Sequence, residues 1–326
     1  MKRAAAIFLL ALRLQAASTC VIAASTQNSY LSTDSGSTWT VGGAMGISVG
    51  SNGNQLVYGN GLVVAFGNSG ALATSPDGVT WTSQTTGFTT NNIRGAAYSV
   101  GLGLWTIVGT GGKLATSPDA VTWTLRTSGF GSTNILGVGA SDTLIVAGGS
   151  SGVMTTSPDG ITWTTRTSGF GTNAINTVLY GNGLYLAAGP VALTTSTNGT
   201  SWSAGTSAGT YATYSSGGPY LLADSSGVLV LRYSSTGTGT WTTATFTGAT
   251  EGVIQGAVYD GTKYLAAIRN STGDGVNNKV VAVSSGGSTY SVVTIDASWT
   301  SSNYSLAIAC APTVAVTRRR IMIWSR

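Results

Sequence analysis

The side chains that could do acid–base or metal chemistry in this 326-residue chain are few. It has no histidine, which removes the commonest general base near neutral pH and the commonest zinc ligand. Glu251 is its one glutamate. Asp34, Asp77, Asp119 and Asp159 recur inside one repeated phrase, while Asp142, Asp224, Asp260, Asp274 and Asp296 stand in turn-like stretches containing Gly, Ser or Thr. A two-carboxylate hydrolase would have to pair Glu251 with one of that second group. The segment Asp274-Gly275-Val276-Asn277-Asn278 offers oxygen ligands without the charge density and spacing of a calcium loop, and reads as a solvated hairpin tip. The expectation is therefore a non-enzymatic chain with no catalytic residue, metal or cofactor.

Charge adds little chemistry. The net charge of +5 comes from 15 basic against 10 acidic residues, so the basic balance reflects scarce acids, and nucleic acid is not the expected partner. The one cluster, Arg318 to Arg320 followed by Ile321, Met322, Ile323, Trp324 and Arg326, fits either a solvated strand end or a docking tail for an acidic partner. Met1-Lys2-Arg3 and the apolar run to Leu12 look like the start of a secretory signal, yet Arg13 interrupts it. Residues 1–18 are thus a signal-like segment or a first strand, the latter being the favoured reading. No stretch approaches the roughly 20 apolar residues of a membrane-spanning helix.

What positions these groups is a repeat. The phrase runs Ser32-Thr-Asp34-Ser-Gly36-Ser-Thr38-Trp39, then Ser75-Pro-Asp77-Gly78-Val-Thr80-Trp81, and returns before Trp123 and Trp163. Weaker copies end at Trp202, Trp241 and Tyr290, so the closing aromatics are spaced by 42, 42, 40, 39, 39 and 49 residues. Between phrases, short apolar runs such as 175–180 and 184–188 flank a tight turn, Gly181-Asn182-Gly183. Four short antiparallel strands per roughly 40 residues is a propeller blade. The predicted fold is all-β: one seven-bladed β-propeller over 1–326, with 298–326 supplying ring-closing strands and a basic tail. Within the phrase Pro presets φ, Asp accepts amides of its own turn and Gly tolerates positive φ, so its carboxylates are expected to fold the blade rather than catalyse.

These phrases resemble the Asp-box, or BNR, repeat, in which Ser-x-Asp-x-Gly-x-Thr-Trp is the pattern; the first phrase fits it in full and the next three look like a form shortened by one residue. Similar repeats occur in sialidases, sortilin-like receptors, photosystem II assembly factors and phage tail proteins. The resemblance implies the fold strongly and function weakly. A sialidase would also need an Arg triad, a Tyr–Glu nucleophilic pair, an acid Asp and a Phe/Tyr-Arg-Ile-Pro segment; that segment is missing. Asp34, Trp39, Asp77, Trp81, Asp119, Trp123, Asp159, Trp163, Trp202 and Trp241 are then structural.

Two sets of residues are candidates for ligand contact. Phe88, Phe130 and Phe170 each follow their Trp by seven residues in the loop to the next blade, and either stack a ligand or pin the loop to the core. Aligning Tyr58, Tyr98, Tyr180 and Tyr259 puts Asn54, Arg94, Asn176 and Gln255 at one register near the channel mouth, with Leu136 between; such a ring either recognises polar groups or lines a wet channel. Arg126 and Arg166 are expected on outer strands in solvent. By repeat alignment Cys20 takes the place of Trp105 and Tyr185, and Cys310 that of Tyr98 and Tyr180, neighbours across one hairpin. They are a disulfide if both termini build one blade, or two small buried hydrophobes. The run 314–316 competes with 21–24 for that second-strand position. The function expected is a structural or binding module on an exposed surface, a virion or phage-tail component for a protein partner or glycan. An exported envelope propeller, in the periplasm or on the bacterial surface, is the alternative, and a sialidase-like hydrolase a distant one.

Overall fold

A computed structural model describes residues 19–24, 28–47, 49, 55–205, 209, 211–214, 218–223, 230–247, 253–269, 280–284, 289–294 and 306–311. The segment 1–18, Asn54, Glu251, Asp224, Asp274, Asp296, the loop 270–278, the run 314–316 and the tail 318–326 lie outside the described residues.

Runs rich in Val, Ile, Leu, Thr and Tyr form strands of mostly four to seven residues, and Gly-containing turns end them. The sheet around Trp123 shows the unit: Ile93–Ser99, Leu104–Gly109, Leu114–Ser117 and Thr124–Arg126, each antiparallel to the next. The same meander recurs in the sheets closing on Trp81, Trp163, Trp202 and Trp241. It begins there with Leu56–Gly59, Ile135–Ala140, Thr177–Gly181 and Tyr211–Tyr214, respectively. With the ring-closing sheet this makes six four-stranded antiparallel sheets among the described residues.

The remaining sheet corrects the expectation of seven like blades. Val253–Tyr259, Tyr264–Arg269, Val280–Ser284 and Thr289–Thr294 repeat the meander, but Thr245–Thr247 adds a fifth strand, parallel to Thr289–Thr294. The chain leaving Thr242–Thr243 runs along this outer edge before turning inward, and so pairs an edge that would otherwise stay open.

The closing sheet mixes both chain ends. Leu306–Cys310 is its innermost strand and pairs antiparallel with Cys20–Ala24, which pairs with Asn28–Ser32 and then Thr40–Ala44. Residues 21–24 thus hold the second-strand place. Cys20 faces Cys310 in the ladder, and the two are bonded across a sequence separation of 290 residues. In four other sheets the same ladder position is an aromatic pair: Tyr98 with Trp105, Tyr180 with Tyr185, Tyr214 with Tyr220 and Tyr259 with Tyr264, ring centroids 4.5–5.0 Å apart. In the Tyr98, Tyr180 and Tyr259 sheets a short turn also joins the two strands. The closing pair has no such turn, and a covalent bond stands where the others rely on contact.

Adjacent sheets are joined by apolar clusters. Between the Trp81 and Trp123 sheets lie Val64, Phe66, Leu72, Phe88, Ile93, Trp105 and Ile107, all buried, with Trp123 packed against them. Every phrase Trp is half-buried in the joint preceding its own sheet, as Trp39, Trp81, Trp163, Trp202 and Trp241 show. Trp81 Nε1 donates to the Gly78 carbonyl of its own turn at 3.0 Å and to Ser29 Oγ of the previous sheet at 3.2 Å, so one ring ties turn to joint.

The phrase turns fold as their residues dictate. Asp77 Oδ1 accepts from the amides of Val79 and Thr80 at 2.8 and 2.7 Å and from Ser75 Oγ at 3.0 Å. Asp119 and Asp159 repeat the pattern, and Asn198 substitutes for the carboxylate with the same two amide contacts. The residue after Asp is in the left-handed region, Gly78 at φ 76° and Gly160 at φ 70°; Ala120 holds it at φ 62° where the phrase lacks the glycine.

Candidate binding cavity at the axis

The inner strands surround a cavity of about 740 Å³, a size typical of ligand sites. Arg94, Asn176 and Gln255 line it, as does Leu136. Three of the four polar residues of the expected register thus line one cavity; Asn54 lies outside the described residues.

The backbone supplies a reason that spacing alone did not. In the Trp123 sheet the pairing steps from Ile93 opposite Gly109 to Gly95 opposite Val108, leaving Arg94 as the extra residue of a β-bulge. The ladder skips Leu136 between Ile135 and Gly137, and Gln255 between Ile254 and Gly256, in the same way. A bulge turns its unpaired residue out of the strand's alternation, and bulges are frequent beside binding sites. Here Ile93, Ile135 and Ile254 are buried anchors on one side of the bulge, and a glycine follows on the other. At Gly137 the backbone of the next sheet comes so near that a Cβ would sit 2.6 Å from the Val178 nitrogen. The Ile-x-Gly triplet was the sequence signal for this device.

Phe88, Phe130 and Phe170 do not line this cavity. Their exposures are 0, 4 and 2%, and each belongs to a joint cluster, Phe130 with Ile135 and Ile145, Phe170 with Ile175 and Tyr185. The alternative of loop pins is the one that holds: burying a phenyl ring is worth far more than leaving it in water for occasional stacking. Arg126 and Arg166 are half-buried, and their Nε atoms donate to Thr116 and Thr156 Oγ1 at 2.9 and 3.0 Å, so they brace outer strands instead of being wholly solvated.

Carboxylates are committed elsewhere. The amides of Thr80 and Val79 hold Asp77 at about 2; at Asp34 burial pushes upward, but hydrogen bonds from Thr38 and Ser32 outweigh it and hold the group at about 2 as well. Asp119 and Asp159 are held below the usual carboxylate range by the amides of Thr122 and Val121, and of Thr162 and Ile161. Asp142 Oδ1 accepts the Gly101 amide at 3.1 Å. Asp260 alone of the described carboxylates lines the cavity. Its Oδ1 accepts Thr262 and Lys263 amides at 2.7 Å each. The described cavity wall therefore offers one cation, Arg94, amides and hydroxyls, which suits recognition of polar groups.

Sequence reasoning missed the opposite end of the cavity. Tyr58, Tyr98, Tyr180, Tyr214 and Tyr259, four of which had served only as alignment marks, all line it at the far ends of their inner strands. Four residues of strand put Arg94 about 13 Å from Tyr98.

No protein-family model and no curated protein matches the sequence. Solved structures do. The chain is similar to YCF48 from Cyanidioschyzon merolae, with 16% identity over 76% of this chain and 86% of that one at a TM-score of 0.54. A structure of YCF48 bound to D1 peptide gives 12% identity over 76% and 82% of the chains at 0.52. The computationally designed Ika8 protein gives 13% over 87% and 98% at 0.51. At such identities the likeness speaks for the fold, and that fold is a β-propeller.

Proposed function

We propose that this chain is a non-enzymatic β-propeller that binds a polypeptide partner in its axial cavity. The observation carrying this is the cavity wall: three bulges aim Arg94, Leu136 and Gln255 inward beside Asn176, while five of the six described aspartates lie away from it and every one accepts hydrogen bonds from its own or a neighbouring turn. A structural neighbour was solved with a peptide bound, which supports a peptide ligand over a glycan. We read the phrases as Asp-box repeats and the ring as seven units over residues 1–326, counting the five-stranded sheet as one and completing it with segment 298–326. The bonded Cys20–Cys310 pair fits an oxidising exterior, on a virion, such as a phage tail, or on a bacterial envelope.

The test is capture of arrayed 12-residue peptides by the full chain. Arg94→Ala and Asn176→Ala should each lower capture about tenfold at unchanged melting temperature. Capture that survives both substitutions, or hydrolysis of a sialoside by the wild-type chain, defeats the reading. Finding the chain in purified particles places it on a virion, and its recovery from an envelope fraction alone places it there.

A further inference from the structure

The tyrosine end of the cavity is a site of a different kind. Tyr98, Tyr180, Tyr214 and Tyr259 each lean on an aromatic ring of the second strand, at centroid distances of 5.0, 4.6, 4.7 and 4.5 Å. Tyr98 and Tyr214 also meet the preceding sheet where a glycine removes the obstacle. A Cβ on Gly59 would lie 2.7 Å from Tyr98, and one on Gly181 would lie 2.0 Å from the Tyr214 ring. Half-buried and packed against a second ring, these side chains have little rotamer freedom left to lose when something binds them.

With a second ring packed against each of these four, what they offer a ligand is chiefly edges and hydroxyls. Tyr259 donates its O–H to the Gly261 carbonyl at 2.9 Å. The hydroxyls of Tyr58, Tyr98, Tyr180 and Tyr214 make no hydrogen bond among the described residues. No lysine or arginine lines this end among the described residues, and the carboxylate there, Asp260, is held by its own turn.

We infer that this mouth is a second subsite, a collar that takes an uncharged peptide segment in the polyproline II conformation by donating phenolic O–H groups to its backbone carbonyls. Four properties select that ligand. Rings already packed against a second ring are a poor platform for stacking a sugar. The absence of an uncommitted charge at this end among the described residues disfavours an ionic group. A set of rigid donors matches a backbone whose carbonyls are all unpaired, as they are in polyproline II, and that backbone is already stiff. Apolar ring edges complement the pyrrolidine rings between the carbonyls. The inference rests on the reading of the cavity as a polypeptide site and specifies which segment enters which mouth.

The experiment titrates the full, disulfide-bonded chain with an N-acetylated, C-amidated octaproline, an octapeptide of alternating Gly and Ser blocked in the same way, and maltoheptaose, followed by calorimetry. Octaproline should bind and the other two should not. Tyr98→Phe and Tyr214→Phe, which keep the rings and their packing, should each weaken binding about fivefold, the double change about 25-fold, with unchanged melting temperature. Arg166→Ala, on an outer strand, should leave binding as it is. Equal affinity for the Gly–Ser peptide, tighter binding of maltoheptaose, no binding of octaproline at millimolar concentration, or indifference to both Tyr→Phe changes overturns the collar. Octaproline failing while arrayed peptides are still captured and still lost with Arg94→Ala overturns the collar alone. Capture indifferent to Arg94→Ala and Asn176→Ala with octaproline binding intact overturns the polar mouth alone.

Discussion

The phrase turns at the outer corners and the wall of the axial cavity are built by the same repeat, yet they treat polar groups in opposite ways. At the corners every carboxylate is consumed locally: Asp34, Asp77, Asp119 and Asp159 each take at least one backbone amide and a serine hydroxyl of their own turn. Across these four copies the residues hardly change, because one turn geometry needs one set of donors and acceptors. At the cavity, Arg94, Leu136, Asn176 and Gln255 come from different sheets, and the hydroxyls of four tyrosines at the far end make no hydrogen bond among the described residues. Where the repeat is uniform it folds the chain; where it varies at a fixed backbone position it is free to recognise something. The variation is cheap for stability, since a bulged residue makes no ladder contact of its own.

The comparison breaks most clearly at the joints. Trp123→Ala removes a ring packed between two sheets and should destabilise the fold by roughly 3–5 kcal/mol, measured by guanidinium denaturation, with binding by the remaining folded fraction unchanged. A binding loss at unchanged midpoint would move Trp123 from scaffold to site.

The closing sheet comes next. Replacing Cys20 and Cys310 together by serine should cost about 2–4 kcal/mol, because the strand Leu306–Cys310 is then held to Cys20–Ala24 by ladder and apolar contacts alone. Full-chain denaturation with and without reductant checks it: wild type should respond to reductant and the double serine variant should not.

Acid sharpens the comparison on the corner side. Asp34 and Asp77 titrate near 2 in the folded chain against roughly 3.9 unfolded, so their contribution is complete above about pH 4 and is lost as the pH falls from 4 toward 2. Asp119 and Asp159 shift the same way. The melting temperature should therefore fall over that window, and Asp119→Ala should lower it by a few degrees at pH 7 while flattening the acid dependence. No such dependence would mean that the turns hold without their carboxylates.

The smallest expected effect on stability is at the cavity. Gln255→Ala and Leu136→Ala should shift the melting temperature less than any corner or joint change, with Gln255→Ala reducing capture of arrayed peptides. A large loss of stability at Leu136 would show that the bulge residues are core, and the contrast between corner and cavity would fail there.

The sequence by itself determined the repeat and its turns, because a phrase such as Ser75 to Trp81 carries its whole hydrogen-bond set within seven contiguous residues. Aligning its copies also grouped Arg94, Asn176 and Gln255, which line one cavity, since copies of one unit align without knowledge of how they meet. Tertiary structure alone decided what depends on residues from different copies coming together. Phe88 is core because Ile93 and Ile107 of the next sheet close over it. Cys20 and Cys310 bond because the last strand enters the first sheet in a register that places them opposite each other. The tyrosine mouth exists because inner strands some 40 residues apart converge on one axis, and the glycines that make room for Tyr98 and Tyr214 belong to the preceding sheets. Turn chemistry is short-range and legible in a line of text, whereas burial and convergence are set by packing between elements that the chain keeps far apart.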